Sequence, residues 1–223
     1  MSSDVTTINL GGVNCYLLRS ATGFVLIDTG FQTRRARLDG ELEKAGCRPG
    51  DLKLILLTHG DVDHVGNCAH LRAKFGAPCA IHAKDASMVE DGNMGANRKP
   101  KPDRLSFVFR ALGLFTRRLA DRNPLERFKP DLVVDEGFEL GAYGLNARIL
   151  HIPGHSKGSI GVLTSGGDLF SGDLFYNIPG FHFIDDLSDH QASLKKLDGL
   201  KIERVYPGHG KPFSAERIRR RVR

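Results

Sequence analysis

Short apolar runs separated by glycine-rich and polar turns fill the first third of the chain. Thr6–Leu10, Cys15–Arg19 and Phe24–Asp28 are three such runs. Their lengths and the turns between them are typical of β-strands that follow one another as hairpins. A fourth run, Leu52–Leu57, is almost wholly aliphatic and is bounded by glycine turns, so it predicts a buried strand.

Helical composition first appears between these strands. Arg34–Ala45 and Asn67–Phe75 are each followed by a glycine, which commonly stands just after the end of a helix. Pro78–His82 then predicts a short buried strand. Because strands alternate with helices after a set of hairpins, the pattern favours an α/β layered sandwich.

The strand pattern resumes after residue 130. It predicts a helix at Gln191–Leu200 and strands at Leu132–Val134, Phe138–Leu140, Ala147–Ile152, Ser159–Thr164, Asp168–Asp173 and Ile202–Tyr206. No internal repeat or linker interrupts the pattern, and 223 residues suit one sizeable domain. We therefore expect a single domain over residues 1–223.

Residues 85–130 differ in character and predict an insertion. Met88–Pro102 is rich in Gly, Asn, Lys and Pro and predicts an exposed loop, and the apolar stretch Leu105–Phe115 follows it. Long insertions in compact domains are often lids or binding loops. A helix with Phe107, Leu112 and Phe115 facing a pocket would favour an acyl or aromatic substrate. Alternatively, they only attach the insertion to the core.

The net charge of +6 comes from two segments. Residues 216–223 carry five Arg and one Glu, and residues 84–130 carry eleven Lys or Arg and six Asp or Glu. Basic segments can attract anionic substrates or nucleic acid. The favoured interpretation is a solvated helix face and a frayed basic tail at 214–223, so we expect a small-molecule substrate rather than nucleic acid.

The sequence gives no sign of membrane insertion or export. No apolar run approaches the ~20 residues that span a bilayer, and Met1–Asp4 lacks the pattern of a signal peptide. The four cysteines are scattered and form no Cys-x-x-Cys pair. A disulfide framework is therefore not expected, and reduced cysteines favour a cytoplasmic location.

The stretch Thr58–Gly66 places two His and two Asp within six residues, directly after the buried strand Leu52–Leu57. Carboxylates crowded in this way repel one another and resist burial unless a cation compensates them. His and Asp together suit zinc, iron or manganese. The alternative is a polar loop that happens to hold two histidines.

Three later strands also end on ligand residues, at His155, Asp173 and His209. Since strand ends lie at one edge of a sheet, these segments can meet the first cluster there. The combined set is His59, Asp61, Asp63, His64, His155, Asp173 and His209. Seven side chains are too many ligands for one tetrahedral metal ion, but they suit two ions that share a carboxylate and a water. The pKa of that shared water would fall towards ~7. The residue types thus predict hydrolytic or oxygen-handling chemistry.

The ordered motifs resemble those of the metallo-β-lactamase superfamily. They are Thr-His-x-x-x-Asp-His-x-Gly, Pro-Gly-His-Ser-x-Gly-Ser, Ser-Gly-Asp and Pro-Gly-His-Gly, and Asn14–Leu17 and Leu26–Gly30 are similar to the family's opening strands. The resemblance covers about residues 5–213. It implies an αββα four-layer sandwich with the metals at the edge of the sheets.

The resemblance also implies how the ligands divide between two divalent ions. One ion would take His59, Asp61 and His155, the other Asp63, His64 and His209, and Asp173 would bridge them. Asp61 departs from the usual His-x-His-x-Asp-His pattern. Zinc is the first expectation for both ions, but the extra carboxylate raises the chance of iron or manganese. Alternatively, Asp61 does not bind a metal and one position is weak.

Other residues near these motifs have two interpretations. Tyr176 lies three residues after Asp173, the offset of the active-site tyrosine in N-acyl homoserine lactonases of this superfamily, so it is either an oxyanion donor or a packed loop residue. Asp28 orients a metal ligand or caps the following helix. His182 and His190 either contact substrate or, as the favoured interpretation, are ordinary surface histidines. His70 and His82 are expected to be structural.

The main functional hypothesis is a dinuclear-metal hydrolase in which a bridging hydroxide attacks an ester, thioester or lactone. Asp63 would orient the nucleophile or move a proton, and Tyr176 would stabilise the oxyanion. A glyoxalase-II type would need a further C-terminal helical domain, and the chain ends at Arg223, which counts against it.

Three alternatives stay open. The first is a di-iron redox or oxygen-reducing protein, because the flavodiiron branch also has a carboxylate at the position of Asp61, although a flavodoxin domain is missing from this chain. The second is a phosphodiesterase that acts on nucleic acid or nucleotides. The third is a scaffold that keeps the fold without chemistry, against which the full ligand set argues.

Overall fold

Two β-sheets face each other in the computed structural model, which describes residues 4–107 and 125–218. The first sheet has the order β1-β2-β3-β4-β5-β7. Its strands are β1 (Val5–Asn9), β2 (Asn14–Ser20), β3 (Gly23–Ile27), β4 (Leu52–Leu56), β5 (Cys79–His82) and β7 (Leu132–Val134). The strands β1 to β3 are antiparallel neighbours, as the hairpin pattern predicts, and β3, β4, β5 and β7 run parallel.

The second sheet contains the C-terminal strands in the order β13-β12-β10-β9-β8. They are β8 (Ala147–His151), β9 (Ile160–Thr164), β10 (Asp168–Asn177), β12 (Arg204–Gly210) and β13 (Phe213–Ser214). A separate two-stranded pair joins β6 (Arg104–Leu105) to β11 (Phe183–Ile184). The helices within the described ranges are α1 (Arg35–Lys44), α2 (Val62–Val65), α3 (Cys68–Phe75), α4 (Ala83–Asp91) and α5 (Leu187–Asp198), and short 3-10 helices lie at Gln32–Arg34 and Gly141–Tyr143.

Three apolar clusters separate four layers. Leu38 of α1 and Leu71 of α3 pack on the outer face of the first sheet, and Leu197 of α5 packs on the outer face of the second. Between the sheets lie side chains of both, such as Ile27 and Phe170. The layers are therefore helix, sheet, sheet and helix, and the expected αββα sandwich is confirmed.

Strand β2 shows how the sequence specifies two buried faces. Tyr16 and Leu18 belong to the cluster between the sheets, whereas Cys15 and Leu17 belong to the cluster under the helices. Successive side chains of a strand point to opposite faces. A strand covered on both faces therefore reads as a continuous apolar run rather than an alternating one.

Several predicted boundaries are wrong. The expected exposed loop begins within α4, whose Met88 and Val89 are buried. The predicted strand Phe138–Leu140 contributes only an isolated bridge between Glu139 and Arg148. Leu112 and Phe115 lie outside the described residues, and Phe107 is 83% exposed.

The predicted basic tail is partly folded, because β13 pairs with β12 and Ile218 is buried in the core under α5. All four cysteines are free and buried. Among the described helices, none has the length and apolar character needed to cross a bilayer.

Candidate metal centre

All seven predicted ligands meet at one end of the sandwich. His59 and Asp61 follow β4, Asp63 and His64 lie on α2, and His155 follows β8. Asp173 lies within β10 and His209 within β12, so these two do not end their strands as the sequence analysis expects. The expected convergence of the seven side chains is nevertheless present.

One group surrounds Asp61. Its Oδ2 lies 3.0 Å from His155 Nε2 and 3.6 Å from His59 Nε2. One ligand atom each of His59, His155 and Asp173 lies within 4.8 Å of the others. We call His59, Asp61 and His155 the first position.

The other group surrounds Asp63. Its Oδ2 lies 3.3 Å from His209 Nε2 and 3.8 Å from His64 Nε2. We call Asp63, His64 and His209 the second position. Asp173 faces both positions, because its Oδ2 lies 3.3 Å from His209 Nε2 and 3.9 Å from His155 Nε2, and its Oδ1 lies 3.4 Å from His64 Nε2.

An irregular stretch of β10 brings Asp173 to this location. The parallel register of β10 with β12 shifts on both sides of Gly172, which has a φ of +48°. A Cβ at Gly172 would lie 2.7 Å from Thr58 Oγ1, so a larger residue would collide with the segment that carries His59. Bulges of this kind turn a side chain towards a site within a strand.

Hydrogen bonds on the far side of His64 and His209 orient their rings. His64 Nδ1 lies 2.8 Å from Asp28 Oδ2, and His209 Nδ1 lies 2.7 Å from the carbonyl of Gly12. Since both partners are acceptors, each Nδ1 carries a proton and each Nε2 faces the centre. This is the usual support of a metal-binding histidine.

Asp28 also orients His59, through Thr58. The Thr58 hydroxyl donates to Asp28 Oδ2 at 2.8 Å and lies 3.0 Å from His59 Nδ1, which donates to it. Asp28 has a φ of 60° and also accepts from the Thr58 amide at 2.8 Å. Asp28 therefore orients the His64 ring directly and the His59 ring through Thr58, and it caps neither Gln32–Arg34 nor α1.

Tyr176 connects His155 with Asp173. Its hydroxyl donates to Asp173 Oδ2 at 2.9 Å and lies 3.0 Å from His155 Nδ1, which also lies 3.3 Å from the carbonyl of Phe183. Burial and the charge of Asp173 raise the pKa of Tyr176 well above its usual value, so the phenol stays protonated. Tyr176 is therefore part of the centre.

Unpaired buried atoms point to a cation. His59 Nε2, His64 Nε2 and Asp173 Oδ1 are buried without a hydrogen-bond partner among the residues that the structure describes. Buried polar atoms are rarely left unpaired in folded proteins. Two imidazole lone pairs and a carboxylate oxygen are ligand atoms that divalent metals accept. The residues present therefore fit divalent metal ions.

The electrostatics of the cluster also favour a cation. Burial alone would lower the pKa of His64, but the carboxylates of Asp173, Asp28 and Asp63 raise it to about 9. Burial would raise the pKa of Asp173, but the imidazoles of His209 and His64 lower it well below its usual value. The carboxylates thus hold protons on nearby imidazoles, and a metal ion would compete for the same lone pairs.

Sequence reasoning missed Arg98, which belongs to the predicted exposed loop. Its Nη2 lies 2.7 Å from Asp61 Oδ1 and 3.4 Å from His155 Nε2. Its guanidinium lies 4.8 Å from the centre of the Phe183 ring, and its side chain is only 9% exposed. One arginine in a Gly- and Lys-rich loop carries no local signal of such a contact.

Sequence reasoning also missed Asp85 on α4. Its Oδ2 accepts from Ser156 Oγ at 2.6 Å and from the Gly60 amide at 3.1 Å, and its Oδ1 accepts from the Gly158 amide at 2.8 Å. Asp85 is fully buried. It therefore ties the segment after His59 to the segment after His155.

A third cluster of His82, Asp135 and His151 lies apart from these positions. His82 Nδ1 accepts from the Lys84 amide at 3.1 Å, so its Nε2 carries the proton and faces Asp135 Oδ1 at 3.2 Å. This tautomer suits a hydrogen bond rather than a metal ion. His82 therefore caps α4, in agreement with the structural role that the sequence predicts.

The remaining predicted histidines are not part of the seven. His70 pairs with Asp39 at 3.0 Å. His182 is exposed, as expected for a surface histidine. His190 is only partly exposed and packs against Gly154, where a Cβ would lie 2.6 Å from its Cα, so its expected place on the surface is wrong in part.

Comparisons with known proteins agree with the motifs. Residues 8–209 match the family model described as the metallo-beta-lactamase superfamily. A Bos taurus protein named acyl-coenzyme A thioesterase MBLAC2 is 25% identical over 231 residues, which cover 92% of this chain and 75% of that protein. A Haemophilus influenzae protein named hydroxyacylglutathione hydrolase GloC is 30% identical over 179 residues, which cover 79% of this chain and 73% of that protein.

This chain is shorter than some of its relatives, and it shares its fold with solved structures of other proteins. The chain spans only 61% and 57% of the length of two further curated relatives that it matches. The solved metallo-beta-lactamase family protein TTHA1429 of Thermus thermophilus is 23% identical, with a TM-score of 0.74, over 99% of this chain and 78% of that one. At this identity the likeness concerns the fold.

Proposed function

Since the chain belongs to the metallo-β-lactamase superfamily, we propose that it is a hydrolase that holds two divalent ions at the first and second positions. The observation that carries the proposal is the convergence of seven His and Asp side chains, three of whose buried Nε2 and Oδ atoms have no hydrogen-bond partner within residues 4–107 and 125–218. His59, Asp61 and His155 would hold one ion, and Asp63, His64 and His209 the other. Asp173 would contact both.

Two divalent ions bound there would lower the pKa of a shared water and polarise the bond to be hydrolysed. Asp63 is 20% exposed in its side chain, so it can reach both the centre and solvent. We assign it the role of orienting the nucleophile and moving its proton. Tyr176 keeps its proton and would donate to a developing oxyanion after exchanging its hydrogen bond to Asp173.

We propose thioesters as the leading substrates, ahead of oxygen esters and lactones. The support is that two relatives carry names for an acyl-coenzyme A thioesterase and a hydroxyacylglutathione hydrolase. The lactone alternative rests on the position of Tyr176 alone. Zinc remains the first proposal for both ions, and a cytoplasmic location stays a prediction.

A di-iron redox protein is the second candidate, and the carboxylate of Asp61 favours it. The ion pair with Arg98 counts against it, because the guanidinium offsets the additional negative charge. The Asp61 carboxylate therefore does not by itself make the first position more anionic than one with histidine.

The test is a panel of acyl-coenzyme A, S-acylglutathione, aryl ester and lactone substrates, offered to protein loaded separately with zinc, manganese or iron. Release of free thiol is measured for the first two classes. We expect thioester turnover that a chelator abolishes and added metal restores. If no panel member is hydrolysed by metal-loaded protein, and the iron form consumes oxygen with an electron donor, the redox candidate replaces the hydrolase.

A further inference from the structure

We propose that Asp61 and Arg98 act as a neutral pair that takes the place of a histidine ligand at the first position. Asp61 is the ligand in this pair, and Arg98 is its positioning residue. The inference rests on the proposed two-metal centre. It explains how a chain with Asp at a position usually held by His can keep a two-metal centre.

The two oxygens of Asp61 have separate partners. Oδ1 lies 2.7 Å from Arg98 Nη2, whereas Oδ2 lies 3.0 Å from His155 Nε2 and 3.6 Å from His59 Nε2. The guanidinium therefore holds one oxygen and leaves the other facing the two imidazoles. A carboxylate held in this way offers a metal ion a single oxygen in a fixed direction, as an imidazole offers a single nitrogen.

Charge supports the same conclusion. A histidine ligand is neutral, whereas Asp61 adds one negative charge beside Asp63 and Asp173. Arg98 adds one positive charge at hydrogen-bond distance, so Asp61 and Arg98 together contribute the net charge of a histidine. Arg remains protonated at any pH at which proteins fold, so this compensation does not depend on pH.

The surrounding structure holds Arg98 in place. Its guanidinium lies over the Phe183 ring of β11, and the next residue, Lys99, donates its amide to both oxygens of Asp185 at 3.2 Å. Lys99 Nζ also lies 2.9 Å from Asp186 Oδ2. The loop that carries Arg98 is therefore attached beside the centre.

If Asp61 and Arg98 act together, the single and double variants should differ in how they bind metal at the first position. Asp61→His alone leaves the buried guanidinium without its anion and next to a cationic site, so metal binding at the first position weakens. Arg98→Gln alone frees the second oxygen of Asp61 and leaves its charge uncompensated, which favours harder ions such as manganese over zinc. Asp61→His with Arg98→Gln recreates the usual histidine site.

The experiment measures metal binding rather than turnover. Wild type, the two single variants and the double variant are titrated with zinc and manganese against a chromophoric chelator, and their cobalt forms are compared by visible absorption. Arg104→Gln, on an exposed arginine of β6, is the matched control. Arg98→Lys is the second variant, which keeps the charge if Arg98→Gln does not fold.

We expect Asp61→His to bind zinc at the first position about tenfold or more weakly than wild type, because a like charge lies within a few ångströms of the ion. The double variant should regain two zinc ions and show a cobalt spectrum richer in nitrogen ligation. Arg98→Lys should keep the zinc preference of wild type, and Arg104→Gln should resemble wild type throughout.

Two outcomes would contradict the proposal that Asp61 and Arg98 act as a pair. In the first, the Asp61→His variant binds two zinc ions as tightly as the double variant, which would mean that Arg98 has no influence on the site. The other is wild type that fills only the second position, since Arg98 would then exclude the ion. If wild-type protein with both positions filled hydrolyses no thioester, that result would contradict only the proposed function.

Discussion

At the scale of single residues, the centre depends on which nitrogen of each histidine carries a proton. His59, His64 and His209 each direct Nδ1 to an acceptor, namely the Thr58 hydroxyl, the Asp28 carboxylate and the Gly12 carbonyl. Their Nε2 atoms thereby face the centre. The rings are oriented for metal ions before any ion binds, and an ion has to displace the proton that the nearby carboxylates hold on His64.

Asp173 is the residue on which both positions depend. We expect Asp173→Asn to lose the proposed thioester hydrolysis and to lower metal occupancy at both positions, because the neutral amide removes the charge that both share. Metal content and thiol release are measured on the same preparation. Asp168→Asn, on the same strand but away from the centre, is the control. Activity retained in Asp173→Asn would contradict the shared role.

His190, which is not one of the seven proposed ligands, should make the free energy of unfolding depend on pH. Burial, with smaller effects of the charges on His155 and Arg104, lowers the pKa of His190 to about 4. The unfolded state takes up this proton near pH ~6.5. The folded state therefore loses stability as the pH falls from ~6.5 to ~4, by up to about 3 kcal/mol.

The check is urea unfolding across this pH range. His190→Gln should lose this part of the pH dependence, whereas His182→Gln, at an exposed histidine, should keep it. If His190→Gln and wild type lose stability in parallel over this range, His190 does not make this contribution.

At the scale of elements, the sequence predicts those parts of the fold that depend on local pattern. The strand Leu52–Leu57 and the helix at Arg34–Ala45 agree with β4 and α1 to within one residue at each end, because apolar runs and a following glycine define them. The motif spacing likewise predicts which seven side chains meet. Asp28 keeps two interpretations until the structure shows its partners.

Contacts between distant segments are where the sequence falls short. Arg98 pairs with Asp61 across thirty-seven positions, and Asp85 contacts Gly158 across seventy-three. A polar side chain in a loop has the same local pattern whether it faces solvent or a buried carboxylate. The helix α4 is missed because glycine, asparagine and lysine just beyond it dominate the composition of Met88–Pro102.

Asp85 connects three elements and predicts a combined loss of stability and activity. Asp85→Asn removes the charge that three donors share and places an amide against one backbone N–H. We expect a loss of about 2–3 kcal/mol in the free energy of unfolding, together with lower activity as the His59 and His155 segments separate.

Denaturant unfolding and thiol release measure the two effects. Ser156→Ala removes only one of the three donors and should cost about 1 kcal/mol. An Asp85→Asn protein that unfolds at the wild-type denaturant concentration would show that Asp85 does not hold the two segments together.

At the scale of the whole molecule, the centre is assembled from both ends of the chain. The Asn14 amide donates to the carbonyl of Gly210 at 2.7 Å, and the Tyr16 hydroxyl donates to the carbonyl of Pro207 at 2.6 Å. His209 reaches back to the Gly12 carbonyl. The side chains of the second position therefore meet only when the two sheets have packed together, so we expect metal binding there to be coupled to folding.

The number of metal ions bound per chain is the most direct test of the two-metal centre. Wild-type protein is loaded with excess zinc, manganese or iron, freed of unbound metal by gel filtration, and analysed by plasma mass spectrometry with the protein concentration from amino-acid analysis. We expect about two divalent ions per wild-type chain and at most about one for Asp173→Asn. A wild-type chain that holds a single ion under every loading condition would contradict the two-metal centre.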